Sequence, residues 1–207
     1  MLIEFDKLLE QGITPRGVIH LGMHKAEEYS IYARFNMNPI VFVEANPELC
    51  RYCESIISDP HVTIINAAAS DNSDDVVTLN ITNNLESSSI LPLKDHANIY
   101  PGIYQVGAVD INTISLDEIF KRHSINQEDI NILNFDIQGV ELLAMKGLSD
   151  WNNIDAIFTE VNYREMYAGC SQISEIDEFL FERGFKKIEE VNTGCGWGDA
   201  LYVKSKE

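Results

Sequence analysis

Continuous apolar runs recur along the chain, separated by stretches whose apolar residues fall at helical spacing. Runs at 18–21, 40–43, 62–66, 131–135 and 154–161 have the unbroken character of strands buried on both faces. Weaker runs at 76–81, 109–114, 185–191 and 200–203 predict further strands. Helices are predicted over 2–11, with Leu2, Phe5, Leu8 and Leu9 on one side, and over 25–35, with Tyr29, Tyr32, Ala33 and Phe35 near one face. Others are predicted over 47–58, over 116–123, from Gly139 through Lys146, and over 173–183. The punctuation agrees. Asn46 reads as an N-cap with Pro47 as first helical residue, and Ser115 with Glu118 reads as a capping box. Gly12, Gly147 and Gly184 close helices, and Asp59-Pro60 breaks one. Strand–helix alternation predicts an α/β fold with a mainly parallel sheet and helices on both faces. The final hairpin adds an antiparallel strand. With no repeat or linker, residues 1–207 are expected to form one domain.

Parallel strands put all their carboxyl ends on one rim, where open α/β sheets bind ligands. Glu44, Asp71, Asp136, Glu160 and Asn162 all fall at predicted strand ends, and the glycine-rich hairpin around Trp197 is expected at the same rim. Residues 82–109 form a long, weakly patterned connection, expected to be a lid or substrate loop over that face. Gly22 ends the first strand, and Glu44 lies 22 residues later, the interval at which an acid meets ribose hydroxyls. A dinucleotide and S-adenosylmethionine both fit that interval. The turn separates them: a pyrophosphate needs several glycines and a helix start free of negative charge, whereas this turn has Gly22 alone and runs into Glu27 and Glu28. Those acids favour a phosphate-free nucleoside carrying an ammonium and a sulfonium.

Charge sharpens the picture. Fifteen basic against 33 acidic residues give −18, a field that repels nucleic-acid backbones and anionic membranes. No nucleic-acid or membrane partner is expected. The first residues lack the pattern of a signal peptide and no window is long and apolar enough to span a bilayer, so cytoplasmic residence is the default expectation. Cys50 and Cys53 form a C-x-x-C inside a predicted helix with no second pair at zinc spacing; with Cys170 and Cys195 they read as reduced thiols, mostly buried. His20 and His24 straddle a strand and a turn and lack helical ligand geometry, and His61, His96 and His123 have no evident partners.

Methyl transfer to oxygen requires an electrophile held in line, an oriented acceptor and a destination for the acceptor proton. Glu160 is the first candidate for general base or hydroxyl anchor and Asp136 the second. Asp136, Glu160 and Asn162 also offer hard oxygen ligands for Mg²⁺, a pattern only approximately that of catechol-type O-methyltransferases, so no metal site is expected.

The blocks Val18-Ile-His-Leu-Gly-Met-His-Lys-Ala-Glu-Glu, Val41-Phe-Val-Glu-Ala-Asn-Pro, Ile65-Asn-Ala-Ala-Ala-Ser-Asp, Glu86-Ser-Ser-Ser-Ile and Leu133-Asn-Phe-Asp-Ile-Gln-Gly-Val-Glu resemble the FkbM family of methyltransferases over roughly residues 17–190. The resemblance implies a class I, Rossmann-like methyltransferase fold with a seven-stranded sheet, mainly parallel with an antiparallel C-terminal strand. It also implies S-adenosylmethionine as donor, S-adenosylhomocysteine as product, and O-methylation of a sugar, glycan or secondary metabolite. Members commonly carry Asp in the first strand where this chain has His20, and a fuller glycine turn. The donor-binding candidates are His20, Gly22, His24, Glu27, Glu44, Ala45, Asn46, Ala69, Ser70, Asp71 and Asp136; the acceptor candidates are Ser88, Asn162, Tyr163 and Trp197. Two other readings stay open: an NAD(P)-dependent oxidoreductase on the same architecture, and an inactive donor-binding scaffold.

Overall fold

The structure, a computed structural model, describes residues 1–205. The elements run α1 (Lys7–Glu10), β1 (Val18–Leu21), α2 (Tyr29–Arg34), β2 (Ile40–Glu44), α3 (Pro47–Ile56), β3 (Val62–Asn66), β4 (Ala68–Ala69), β5 (Val76–Thr82), α4 (Asp95–Ile99), β6 (Gln105–Ile114), α5 (Leu116–Arg122), β7 (Ile132–Phe135), α6 (Glu141–Met145), β8 (Ala156–Asn162), α7 (Ile173–Phe181), β9 (Phe185–Asn192) and β10 (Trp197–Lys204). Seven strands form the main sheet in the order β3–β2–β1–β7–β8–β10–β9. β1 pairs parallel with both β2 and β7, and β7 with β8, while β10 lies antiparallel between β8 and β9. This is the fold class expected from the sequence. Strand order reverses between β1 and β7, so helices depart in opposite directions there and open a crevice at the rim.

Strand alternation divides the core into two layers. Val18, Ile40, Phe42 and Ile132 pack with Leu8, Tyr32, Cys50 and Cys53 on one face. Ile19, Leu21, Val41, Val43, Leu133 and Phe135 pack with Leu116, Ile119, Leu142, Ile176 and Leu180 on the other. Each such side chain, buried from water, contributes on the order of 1.5–3 kcal/mol. Helices α1–α3 therefore cover one face and α5–α7 the other.

Several boundaries differ from the sequence reading. The N-terminal helix is confined to Lys7–Glu10, because the Leu2 backbone N–H donates to Asp199 and holds the first residues at the rim. α2 begins at Tyr29 because His24 (φ 48°) and Ala26 (φ 59°) are left-handed and interrupt the expected helix from residue 25. α6 starts at Glu141, after Gln138 (φ 58°) and Gly139 (φ 104°) have turned the chain. The strand at 105–114 lies between β4 and the strand at 76–82, parallel to the first and antiparallel to the second, in a separate three-stranded sheet. The Asn46 side chain accepts from Glu48 N at 2.9 Å, as expected of a cap; the Ser115 side chain accepts from Glu118 N at 3.3 Å, but Ser115 N donates to Ser73 Oγ at 2.9 Å, so only half of the expected capping box forms. All four cysteines are free, three of them buried. Among the described residues no helix is long and apolar enough to cross a membrane.

Candidate active site

A cavity of about 490 Å³ opens at the carboxyl ends of the central strands. Its near wall is built by β1 and β2. Glu44, the last residue of β2, accepts from His24 N at 2.9 Å through Oε2 and from Asn46 N at 2.7 Å through Oε1. The carboxylate is thereby fixed in orientation with lone pairs left for a ligand. Burial pushes its pKa up, against those N–H donors. Gly22 follows β1 with φ 90°, and a Cβ there would lie 1.7 Å from the Asp136 carbonyl oxygen. Glycine is required at this position by the neighbouring strand end. Met23, Ala45, Leu49, Ala67, Ala68 and Ala69 complete an apolar floor.

The far wall comes from β7, β8 and β10. Gln138 Nε2 donates to Asp136 Oδ1 and to Glu160 Oε2, both at 2.8 Å, and its Oε1 accepts from Tyr167 Oη at 2.5 Å. The Gln138 carbonyl accepts from Ser89 Oγ at 2.7 Å, tying the 82–104 connection to the same hub. Glu141 is fully buried and accepts from Ile137 N at 3.1 Å and Gly139 N at 3.0 Å. Its carboxylate thus satisfies the free N–H groups of the turn that precedes α6. Asp199 is the cross-strand partner of Glu160.

Crowded carboxyls in low dielectric resist ionisation. Burial, with Asp199 nearby, pushes Asp136 up to about 6. Burial pushes Glu141 up to about 7. Glu160 is raised well above the ordinary carboxylate range by burial and then by Asp136. Burial also raises Asp199. The α-amino group of Met1 lies 3.3 Å from Glu28 Oε1 at the cavity edge. No lysine or arginine lines the cavity among the described residues.

A profile of the methyltransferase FkbM domain matches residues 20–187. The chain belongs to this family. Among solved structures, M. capricolum TrmK in complex with S-adenosylhomocysteine shares 8% identity over 100% of this chain and 70% of its own, with a TM-score of 0.52. Streptococcus pneumoniae Sp1610, a candidate tRNA (m1A22) methyltransferase in complex with S-adenosylmethionine, shares 10% identity over 100% and 75%, with a TM-score of 0.51. A Listeria monocytogenes serotype 4b protein shares 7% over 99% and 70%, also at 0.51. At such identities these likenesses establish the fold of the FkbM chain. None of the curated proteins matches it significantly.

Of the residues singled out in the sequence, the FkbM cavity gathers Gly22, His24, Glu27, Glu44, Ala45, Ala69, Ser88, Asp136, Glu160, Asn162 and Trp197. Five do not line it. His20 sits within β1, 2% exposed, and faces the helix layer, where its Nδ1 lies 3.2 Å from Tyr32 Oη. Burial pushes its pKa down to about 4, so the neutral ring accepts the tyrosine proton while Asn134 Nδ2 donates to the same oxygen. Asn46 is spent on capping α3 and anchoring Glu44. Ser70 and Asp71 follow β4, whose pairing with β6 carries the chain away from the rim: Ser70 N donates to the Ile114 carbonyl, and Asp71 is exposed. Tyr163 points to the opposite layer and donates to Glu190 Oε1 at 2.8 Å. Glu160 takes its hydrogen bond from Gln138.

Sequence reasoning missed Gln138, Glu141, Tyr167, Asp199, Tyr100 and His96. Gln138 and Glu141 were signalled by the Asp-x-Gln-Gly-x-Glu block, and Asp199 by an acid two residues after Trp197 on a strand reaching the rim. Within 82–109, expected as a lid or substrate loop, Asn84–Ile90, His96, Tyr100 and Ile103 line the cavity, and β6 begins at Gln105. His24, Glu27 and Glu86 are the one trio of His, Cys, Asp or Glu with ligand atoms all within 4.8 Å of one another among the described residues, and both acids are exposed.

Proposed function

We propose that this chain binds S-adenosylmethionine in the cavity and transfers its methyl group to a hydroxyl of a sugar, glycan or secondary metabolite. The observation that carries the reading is one cavity with Glu44 anchored on its near wall and the Asp136–Gln138–Glu160 linkage on its far wall. The donor set fits this cofactor. An anchored acid serves ribose hydroxyls, an apolar floor serves a base, and a wall without lysine or arginine suits a ligand with an ammonium and a sulfonium and no phosphate.

In this reading Glu44 accepts the ribose hydroxyls, Ala45 and Ala69 flank the base, and the Gly22–His24 turn together with Glu27 and Asp136 surrounds the methionine end. The bound cofactor supplies a methyl group on a positively charged sulfur. Glu160 accepts the proton of the acceptor hydroxyl as the new O–C bond forms. Gln138 holds Glu160 and Asp136 apart and restrains their side chains, so the base is oriented before the acceptor arrives. Ser88, Asn162 and Trp197 bound the acceptor. The overall acidity and a lining without lysine or arginine among the described residues oppose a nucleic-acid acceptor, although structural neighbours are described as candidate tRNA and RNA methyltransferases.

Calorimetric titration with S-adenosylmethionine, S-adenosylhomocysteine and NAD tests the donor. The first two are expected to bind and NAD is not; NAD binding alone would establish the oxidoreductase alternative. Label transfer from tritiated donor into glycan, metabolite and tRNA fractions then tests the acceptor. Transfer into tRNA, with none into the others, would overturn that part of the reading.

A further inference from the structure

The far wall of the cavity contains buried polar groups for which the protein offers nothing. Asn162 is 1% exposed, and neither its Oδ1 nor its Nδ2 has a hydrogen-bond partner; His96 is 6% exposed and its Nδ1 is equally bare. Both side chains line the cavity. A buried carboxamide with both ends unpaired destabilises the folded chain, and a ligand that donates and accepts relieves it. On the same wall, Trp197 is the cross-strand partner of Asn162, as Asp199 is of Glu160. Trp197 Nε1 donates to Tyr100 Oη at 3.1 Å, which fixes the two rings together.

Carboxyls dominate this wall, and the Met1 ammonium, 3.3 Å from Glu28 Oε1, is the cation that stands beside them. Asp136 and Glu160 share a single neutral donor, Gln138 Nε2, and Asp199 accepts from the Leu2 backbone N–H. Like charges gathered out of water repel one another, and a cation beside carboxylates and aromatic rings is favoured by both. An anionic acceptor would meet the opposite conditions: carboxylates, and no lysine or arginine to receive it.

We propose that the acceptor is a hydroxyamine, of the amino-sugar or amino-alcohol class, bound with its ammonium against Asp199, Trp197 and Tyr100 and its hydroxyl region against Asn162 and His96. This rests on the methyl-transfer reading above and gives the acceptor a charge. The hydroxyl oxygen forms the bond to the methyl carbon, the sulfur keeps the electron pair of the bond that breaks, and the hydroxyl proton passes to Glu160. The ammonium is unchanged.

The test uses the full chain saturated with S-adenosylhomocysteine, whose binding is first established by calorimetry. Failure at that step overturns the donor reading itself. Ethanolamine, ethylene glycol and glycolate, nearly equal in size and differing in charge, are then compared by saturation-transfer NMR at neutral pH. Ethanolammonium is expected to bind about tenfold more tightly than ethylene glycol, with glycolate not binding. Asp199→Asn is expected to shrink that preference to about threefold or less. Asn162→Ala is expected to weaken both binders by about tenfold without lowering thermal stability, since Asn162 has no partner within the chain to lose. Equal or stronger binding of the neutral or anionic probe, no binding of ethanolammonium to the loaded protein, or a preference undiminished in Asp199→Asn would each overturn the proposal while leaving the donor reading intact.

Discussion

On the β1–β2 side of the cavity the polar groups are settled within the chain. Glu44 has an N–H on each oxygen, and Asn46 both supplies one of them and caps a helix. On the β8–β10 side Asn162 has no partner, two carboxyls divide one amide donor, and a third stands across from them on the next strand. The first arrangement is finished before any ligand arrives, as recognition of an invariant cofactor requires. The second is left in conflict, and the conflict is resolved by what enters. Preorganisation and frustration thus lie side by side on one rim; under the proposed function the former would carry donor affinity and the latter acceptor selectivity.

The largest test strikes where the two sides meet. Gly22→Ala would place a Cβ 1.7 Å from the Asp136 carbonyl at φ 90°, so β1 and β7 would have to separate. A loss of about 3–5 kcal/mol in urea-unfolding stability is expected, with both sides of the cavity lost together. Glu160→Gln should act on the far side alone. A fall of about 10²–10⁴ in kcat is expected, with the calorimetric Kd for S-adenosylmethionine unchanged, because the proposed general base is removed while the near wall stays intact. Glu44→Ala is the mirror case: losing charged hydrogen bonds worth about 1.5–3 kcal/mol should raise the donor Kd about ten- to a hundredfold while kcat at saturating donor is retained. If each of these two substitutions altered both parameters equally, the division into sides would fail.

The last test concerns pH. The folded-state pKa of Asp136 is about 6 against an ordinary 3.8, so folding holds its proton more tightly than the unfolded chain does. Below 3.8 both states are protonated and there is no penalty; the penalty develops as pH rises and is complete above about 6. Asp136→Asn should therefore gain stability over the parent as pH rises through that window, by up to about 3 kcal/mol. Urea midpoints measured at both ends of the window check this, and a difference that does not change with pH would show that Asp136 is not strained by its neighbours.

The near side was legible in the sequence and the far side only in part. Glu44, its 22-residue interval from Gly22 and the Asn46–Pro47 helix start are local features, each written within a few residues of the element it ends. Strand ends also placed Asp136, Glu160 and Asn162 correctly at the rim. Pairing across strands is not local. Nothing near residue 160 announces that Asp199 lies opposite, and nothing near residue 138 announces that its amide spans two acids from different strands. Asp71 and Tyr163 failed for a related reason. Each lies just past a strand, where one residue decides which way a side chain faces, and the partners that decided it, Ile114 through Ser70 for one and Glu190 for the other, are remote in sequence. His20 failed by orientation too, since alternation within β1 turned it to the helix layer.

β10 lies antiparallel between β8 and β9, so the hairpin at 193–196 delivers Trp197 and Asp199 to the rim from a connection that makes no part of the Glu44 wall. Lengthening or rewriting that short turn would reshape the Trp197 and Asp199 side of the cavity while the Glu44 side went on unaltered. A catalyst arranged this way can change its clientele through a few neighbouring codons.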